Sequence, residues 1–254
     1  MRKVVILSSI IISKNEEEMI GECLLSLEFS DEIIVVDSGN TDSTNDIAES
    51  FGVKIVSCDS NSYAEFRNAG LKAAHGDWVL YVDADERVTP LLKKEIEQIM
   101  SSPTSGLAYQ IPRKNIYLRR EMHYGGWGSD RVIRFFKKSA LEKYEGQLHE
   151  QPVFSGELRT MNHELIHYSH RDLSSMLDKT LDFTAHEAQL RYAANHPPIV
   201  WWRLVRVMFT EFWLRFVKLS AWRDGVEGVI DGLFQVFNSF VIYARLWEMQ
   251  SAKK

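Results

Sequence analysis

Apolar residues along this chain gather in short unbroken runs, separated by stretches in which they return every third or fourth position. VVILSSIII (4–12), DEIIVVDSG (31–39), VKIVSC (53–58) and DWVLYVDADE (77–86) are the runs. Between them, Met19, Ile20, Cys23, Leu24 and Leu27 fall at helical spacing within 15–27. Ile47, Ala48 and Phe51 do so within 43–51, and Phe66, Ala69 and Ala73 within 63–74. Strands apolar on both faces, alternating with short helices, predict an α/β fold built on a mostly parallel central sheet. TPLLKKEIEQIM (89–100) adds a helix, after which shorter strands and long loops follow, among them the Gly-rich HYGGWGSD. From 172 onward the pattern is helical, with a break at HPP (196–198). The expected division is one α/β domain over 1–172, with halves 1–100 and 101–172, and a helical region over 173–254.

Ligands of open parallel sheets collect beyond the carboxyl ends of the strands. Asp37 ends the second run, and Asp83-Ala84-Asp85 ends the fourth. In an extended segment, alternation sets Asp83 and Asp85 on one side, and two neighbouring carboxylates call for a cation or hydroxyl groups. A hard divalent ion shared with phosphate oxygens meets that need; an acidic strand end capping the next turn is the plainer account. Neither G-x-G-x-x-G nor G-x-x-x-x-G-K-S/T occurs, which disfavours a dinucleotide dehydrogenase and a P-loop NTPase. Arg67, on the helix before the DAD strand, is placed to meet an acidic neighbour or a phosphate, or to form a surface ion pair. Asp42, just ahead of Ser43-Thr44 and a helical pattern, reads first as a helix-capping residue.

Charge and composition narrow the partners. The 254 residues carry a net charge of -5, so no broad basic surface draws in nucleic acid. Cys23 and Cys58 form neither a disulfide framework nor a metal-ligand pair, and read as small hydrophobes in a reducing compartment. His163, His167 and His170 lack the companions of a closed zinc site. The N-terminal apolar run is β-branched and has no small-residue cleavage site, so it reads as a strand. No stretch is expected to reach the roughly 18 nearly uncharged apolar residues that cross a bilayer. The longest candidate, 232–244, is flanked by Asp231 and Arg245. In 201–219, Arg203, Arg206, Arg215 and Lys218 interleave with aromatic residues. That composition suits an interfacial helix on anionic lipid, or a hairpin packed on the domain or across a homodimer.

SSIIISKNEEEMIGECLLSL, DEIIVVDSGNTDSTNDIAESFGVKIV and FRNAGLKAAHGDWVLYVDADERV together resemble family 2 glycosyltransferases with the GT-A fold. GSDRVIRFFKK, GQLHE and LIHYSH are similar to the lipopolysaccharide inner-core β-glucosyltransferases of the WaaE or KdtX type. The resemblance implies a catalytic domain whose first half binds nucleotide and whose second half binds acceptor. It implies an inverting transfer of a sugar, glucose by preference, from a UDP-sugar to a lipid-linked oligosaccharide, assisted by Mg2+ or Mn2+. Another UDP-sugar or cell-surface acceptor is the alternative within the class, and a non-catalytic carbohydrate- or membrane-binding scaffold the alternative outside it. By resemblance, Asp37 binds uracil or ribose, Arg67 lies near uracil and diphosphate, Asp83 touches the ribose and Asp85 holds the metal. The backbone of Ser13 to Asn15 lines the uridine pocket, with Glu16 nearby. His167, or else His170, adds a metal or diphosphate contact. Glu150 becomes the general base, positioned by His149, although a glutamate before Gln-Pro also suits a solvated loop. Asp130 is its rival; Arg134 meets the diphosphate or orders its loop, and Trp127 stacks on a sugar or fills the core. The expected setting is cytoplasmic, peripheral on the inner membrane.

Overall fold

The computed structural model describes residues 7–60, 62–102, 106–146 and 150–252. The first half alternates strand and helix as its pattern predicts. It runs β1 (Leu7–Ser13), α1 (Ile20–Ser26), β2 (Glu32–Asp37), α2 (Thr44–Ser50), β3 (Lys54–Ser57), α3 (Tyr63–Ala73) and β4 (Trp78–Asp83). A short strand, β5 (Glu86–Val88), and α4 (Pro90–Ser101) follow, the helix opening on a Thr89 side chain that accepts the Leu92 amide. The irregular middle holds β6 (Ala108–Tyr117), β7 (Arg120–Glu121), β8 (Arg131–Lys137), β9 (Leu141–Glu145), β10 (Gln151–Phe154), β11 (Leu158–Thr160) and β12 (Leu165–His170). Three long helices close the chain: α5 (Leu173–Ala193), α6 (Trp201–Phe212) and α7 (Gly225–Ser251).

These elements form two compact units, one of 1–114 with 131–167 and one of 115–130 with 168–254. In the first, β3, β2, β1 and β4 lie side by side and parallel, and β8 and then β6 continue the sheet antiparallel. The β1 strand is buried along its whole length, and its side chains divide by parity. Leu7 and Ile11 enter a core with Ile20, Leu24 and Leu92, whereas Ile10 and Ile12 enter a second core with Ala64 and Phe66. In β4, Trp78, Leu80 and Val82 join the first core, and Val79 and Tyr81 the second. Period-two alternation on a strand covered on both faces thus makes a continuous apolar run.

The second core depends on a close helix-sheet approach. A Cβ at Gly70 of α3 would stand 2.3 Å from Cγ2 of Ile10 and 3.1 Å from Cγ2 of Val36, both short, branched, buried side chains. Gly70→Ala is therefore expected to destabilise the protein by about 1–3 kcal/mol. A urea unfolding curve indistinguishable from that of the parent would show that α3 stands farther from the sheet.

The helical unit has smaller cores. Tyr117, Met122 and Met176 make one, backed by Trp127, Ile230 and Phe234; Ala188, Ile199 and Leu246 make another. The sequence expectation of no bilayer-length segment is corrected here. The helical stretch Ala221–Ser251 is long and apolar enough, by length and composition, to cross a membrane. Asp231, read from sequence as a flanking charge, lies inside this helix and is itself buried against Trp127. Length and composition alone do not distinguish such a helix from a core helix.

Candidate active site

The chain runs outward from β1 to β3 and then returns to place β4 on the other side of β1, so the strand order reverses between β1 and β4. Open α/β sheets bind ligands at such a reversal, beyond the carboxyl strand ends. Register brings the candidates to this edge: Ser13 pairs with Asp37, and Ile12 with Asp83.

Along the β1–β2 side, the loops brace one another. Asn15 adopts a left-handed φ of 55°. Its Oδ1 accepts the Thr41 amide at 2.7 Å, while its own amide donates to Asn40 Oδ1 at 2.7 Å. The Glu16 amide donates to Thr44 Oγ1, and Asn40 Nδ2 donates to Oγ of buried Ser13. Asp37 closes the loop: its Oδ1 accepts the Gly39 and Asn40 amides, and its Oδ2 accepts from Asn45. Burial alone would raise this carboxyl, but those three donors hold it below its ordinary value. Asp42 accepts the Thr44 amide and hydroxyl and the Glu17 amide, the capping duty expected of it. Helix α1 begins only at Ile20 because Asn15 to Met19 is committed to this loop.

The DAD segment departs from its expected geometry. Strand β4 ends at Asp83 and the chain turns through Ala84 and Asp85 before β5, so alternation along an extended strand does not govern the pair. Their carboxylates take different partners. Asp83 receives both arms of buried Arg134, at 3.2 Å and 2.5 Å, and Nη2 of buried Arg67 at 3.4 Å. Burial opposes its charge, but Arg134 and then Arg67 outweigh it and hold the Asp83 carboxyl far below its ordinary value. Asp85 instead faces His167, with Oδ2 and Nε2 3.7 Å apart. Burial works against an imidazolium at His167, yet the Asp85 carboxylate prevails and raises its pKa.

Behind the turn, Glu86 is fully buried, accepts the Asp83 amide and pairs with Arg113 at 3.2 Å. Desolvation, followed by neighbouring Asp83, pushes its carboxyl upward. The adjacent Arg87 directs its guanidinium to the carbonyls of Ala84, Glu86 and Met19. Nothing local marks Arg113 for this role, a strand residue that meets a glutamate 27 positions away.

Arg67 links the two halves of the expected chemistry. Its Nε donates to Glu150 Oε1 at 2.8 Å while Nη2 reaches Asp83, and its guanidinium lies over the Tyr81 and Tyr144 rings at 5.6 and 5.4 Å. Glu150 is only 16% exposed at its side chain, which excludes the solvated-loop reading. Its Oε2 has no hydrogen bond among the described residues. His149 lies outside the described residues.

The other candidates belong to the helical unit. Asp130 accepts from Asn115 Nδ2 at 3.0 Å. Trp127 donates its indole N–H to Asp231 at 2.9 Å and packs against Tyr117, so the core account describes what its ring does here. His170 stacks edge-on against Tyr117. His163, in the first unit, is held by Glu95.

Among the described residues, no three His, Cys, Asp or Glu side chains converge as a metal cage. Asp85 and His167 nevertheless form a two-donor platform. Mg2+ and Mn2+ take few protein ligands and complete their shells with water and phosphate oxygens, so this donor set fits an ion finished by a diphosphate.

The chain is similar over most of its length to bacterial glycosyltransferases. An uncharacterized glycosyltransferase of Rickettsia typhi is 27% identical across 96% of this chain and 87% of its own. The lipopolysaccharide core biosynthesis glycosyltransferase LpsC of Rhizobium meliloti is 24% identical across 97% of this chain and 94% of its own. A solved glucosyl-3-phosphoglycerate synthase from Mycobacterium tuberculosis, in complex with Mn2+, UDP-glucose and phosphoglyceric acid, is 25% identical over 44% of each chain, with a TM-score of 0.38. The family model for glycosyl transferase family 2 matches residues 8–166. With its α/β GT-A-like sheet and C-terminal helical extension, this chain belongs to glycosyl transferase family 2.

Proposed function

We propose that this enzyme transfers a sugar from a UDP-sugar to a hydroxyl of a cell-surface glycan. The observation that carries the reading is the chain Arg134–Asp83–Arg67–Glu150, in which one buried guanidinium joins a strand-end aspartate to a carboxylate whose second oxygen has no hydrogen bond among the described residues. A single displacement needs those two neighbouring functions. The acceptor oxygen bonds to the anomeric carbon as the bond from that carbon to the diphosphate oxygen breaks. The acceptor's proton passes to the Glu150 carboxylate, which acts as the base. Attack opposite the leaving group inverts the anomeric centre and needs no covalent nucleophile. Asp37, Ser13, Asn15 and Glu16 form the nucleoside side of this site, and Asp83 meets the ribose. Arg67 and Arg134 place positive charge near the diphosphate. Mg2+ or Mn2+ held by Asp85 and His167 would neutralise charge on the departing diphosphate.

A panel of UDP-sugars, assayed for hydrolysis with and without Mn2+, tests the donor class directly. Indifference to every UDP-sugar would overturn it. Asp85→Ala is expected to abolish metal-dependent turnover and weaken UDP binding in the presence of Mn2+, because one donor of a two-donor platform is gone. Full activity of this variant in chelator would remove the metal from the reading.

The end-to-end similarity to a lipopolysaccharide core biosynthesis glycosyltransferase supports, as a narrower second reading, transfer to a lipopolysaccharide core acceptor. Product analysis with a truncated core acceptor separates this from other glycan acceptors.

A further inference from the structure

Helix α6 has no buried residue: Leu204 packs against the Ala188–Ile199–Leu246 core, but most of its large apolar side chains are exposed. Trp201, Val205 and Phe209 recur at four-residue spacing and are 77%, 59% and 66% exposed. Trp202, Phe212 and Trp213 widen the same stripe and are exposed as well. A helix packed only for its own unit would not leave this many large aromatic groups in water.

Charge says what covers this face. The chain is acidic overall, yet residues 201–223 carry Arg203, Arg206, Arg215, Lys218 and Arg223 against the single acid Glu211. The structure refines that set. Arg215 is spent internally, pairing with Glu211 at 2.7 Å and donating to the Gly125 carbonyl at 2.7 Å. Arg203 and Arg206 lie over the Trp202 ring at 5.4 and 5.5 Å, at the border of the apolar stripe. Lys218, Arg223 and Trp222 extend an exposed basic and aromatic rim beyond the helix. A second copy of this chain fits poorly, since a two-fold pairing through this face brings its arginines towards their own copies. Anionic lipid headgroups complement the arginines, and the boundary below them accepts tryptophan and phenylalanine.

We infer that the Trp201–Val205–Phe209 face of α6 seats in the interfacial layer of an anionic bilayer, lying along it and not crossing it. The Gly-rich loop is fixed to the same segment: the Gly125 amide donates to the Leu219 carbonyl, and buried Asp224 accepts the His123 and Tyr124 amides. A seated α6 therefore holds the loop that ends in Asp130 at a set depth relative to the lipid surface.

The test is flotation of the full chain with equimolar phosphatidylglycerol and phosphatidylcholine vesicles, beside phosphatidylcholine vesicles alone. Binding to the anionic vesicles only is expected, with part of the protein released by high salt and nearly all by alkaline carbonate. Trp201→Glu with Phe209→Glu should reduce binding at least tenfold while the melting temperature and solution mass stay unchanged, as both side chains stand in solvent. Arg206→Glu should cost more than fivefold, since each basic residue near an anionic leaflet strengthens partitioning about fivefold. Failure of the parent to float with either vesicle overturns the inference, as does unchanged binding by the double variant. A dimer that the double variant dissociates would assign the face to a second copy, and resistance to carbonate would assign the helices to a span; either result also overturns it.

Discussion

Glu150→Gln is expected to lower turnover by about 100-fold or more while leaving the donor KM nearly unchanged. Glutamine keeps the length of the side chain and can still accept the Arg67 Nε–H, but it cannot take up a proton at neutral pH. The geometry also limits the structural damage. Arg67 retains Asp83 and the faces of Tyr81 and Tyr144, so its charge is not stranded when Glu150 becomes neutral. A modest fall in melting temperature with a large fall in kcat is therefore the signature of a base. A rise in donor KM with preserved kcat would instead make Glu150 a diphosphate-positioning residue. Asp130→Asn belongs beside it under the same saturating donor and acceptor. An inactive Asp130→Asn with an active Glu150→Gln would move the base to position 130.

Arg134→Ala should produce the largest loss of stability, about 3–5 kcal/mol, because it removes both arms of the bidentate partner of a strand-end carboxylate. Arg67 remains, but only through a single contact at 3.4 Å. Adding Asp83→Asn should recover part of the loss, since the uncompensated charge is then gone; strict additivity of the two changes would deny their coupling. Acid supplies a second readout. The Asp83 carboxyl is held below its ordinary value, so its contribution is complete above about pH 4 and fades as pH falls further towards the depressed folded value. Without Arg134 that carboxyl moves back towards its ordinary value. The stability gap between parent and variant should consequently narrow below about pH 4, as followed by urea unfolding across that range. A gap that stays constant would trace the loss to packing.

Much of this protein is local and was written in its sequence. Strands β1, β2 and β4 were legible because a strand buried on both faces must be apolar at every position, as Ile10 and Ile11 are on opposite sides of one sheet. The capping duty of Asp42 was legible because it spans two residues. The strand-end aspartates were legible because the parallel order itself directs their ends to one edge. Which partner each carboxylate takes was decided only by the tertiary structure. Asp83 and Asp85 separate because the chain turns after Asp83, and the turn is closed by Glu86, whose own partner Arg113 comes from another strand. Arg67 meets Glu150 across 83 positions, a distance over which no local pattern carries information. The same holds for the C-terminal helices. Periodicity showed that 201–219 is amphipathic, but a helix can bury its apolar stripe or leave it in solvent with the same sequence. Only the packing of the rest of its unit, which employs Arg215 and leaves Trp201 outside, decides between them.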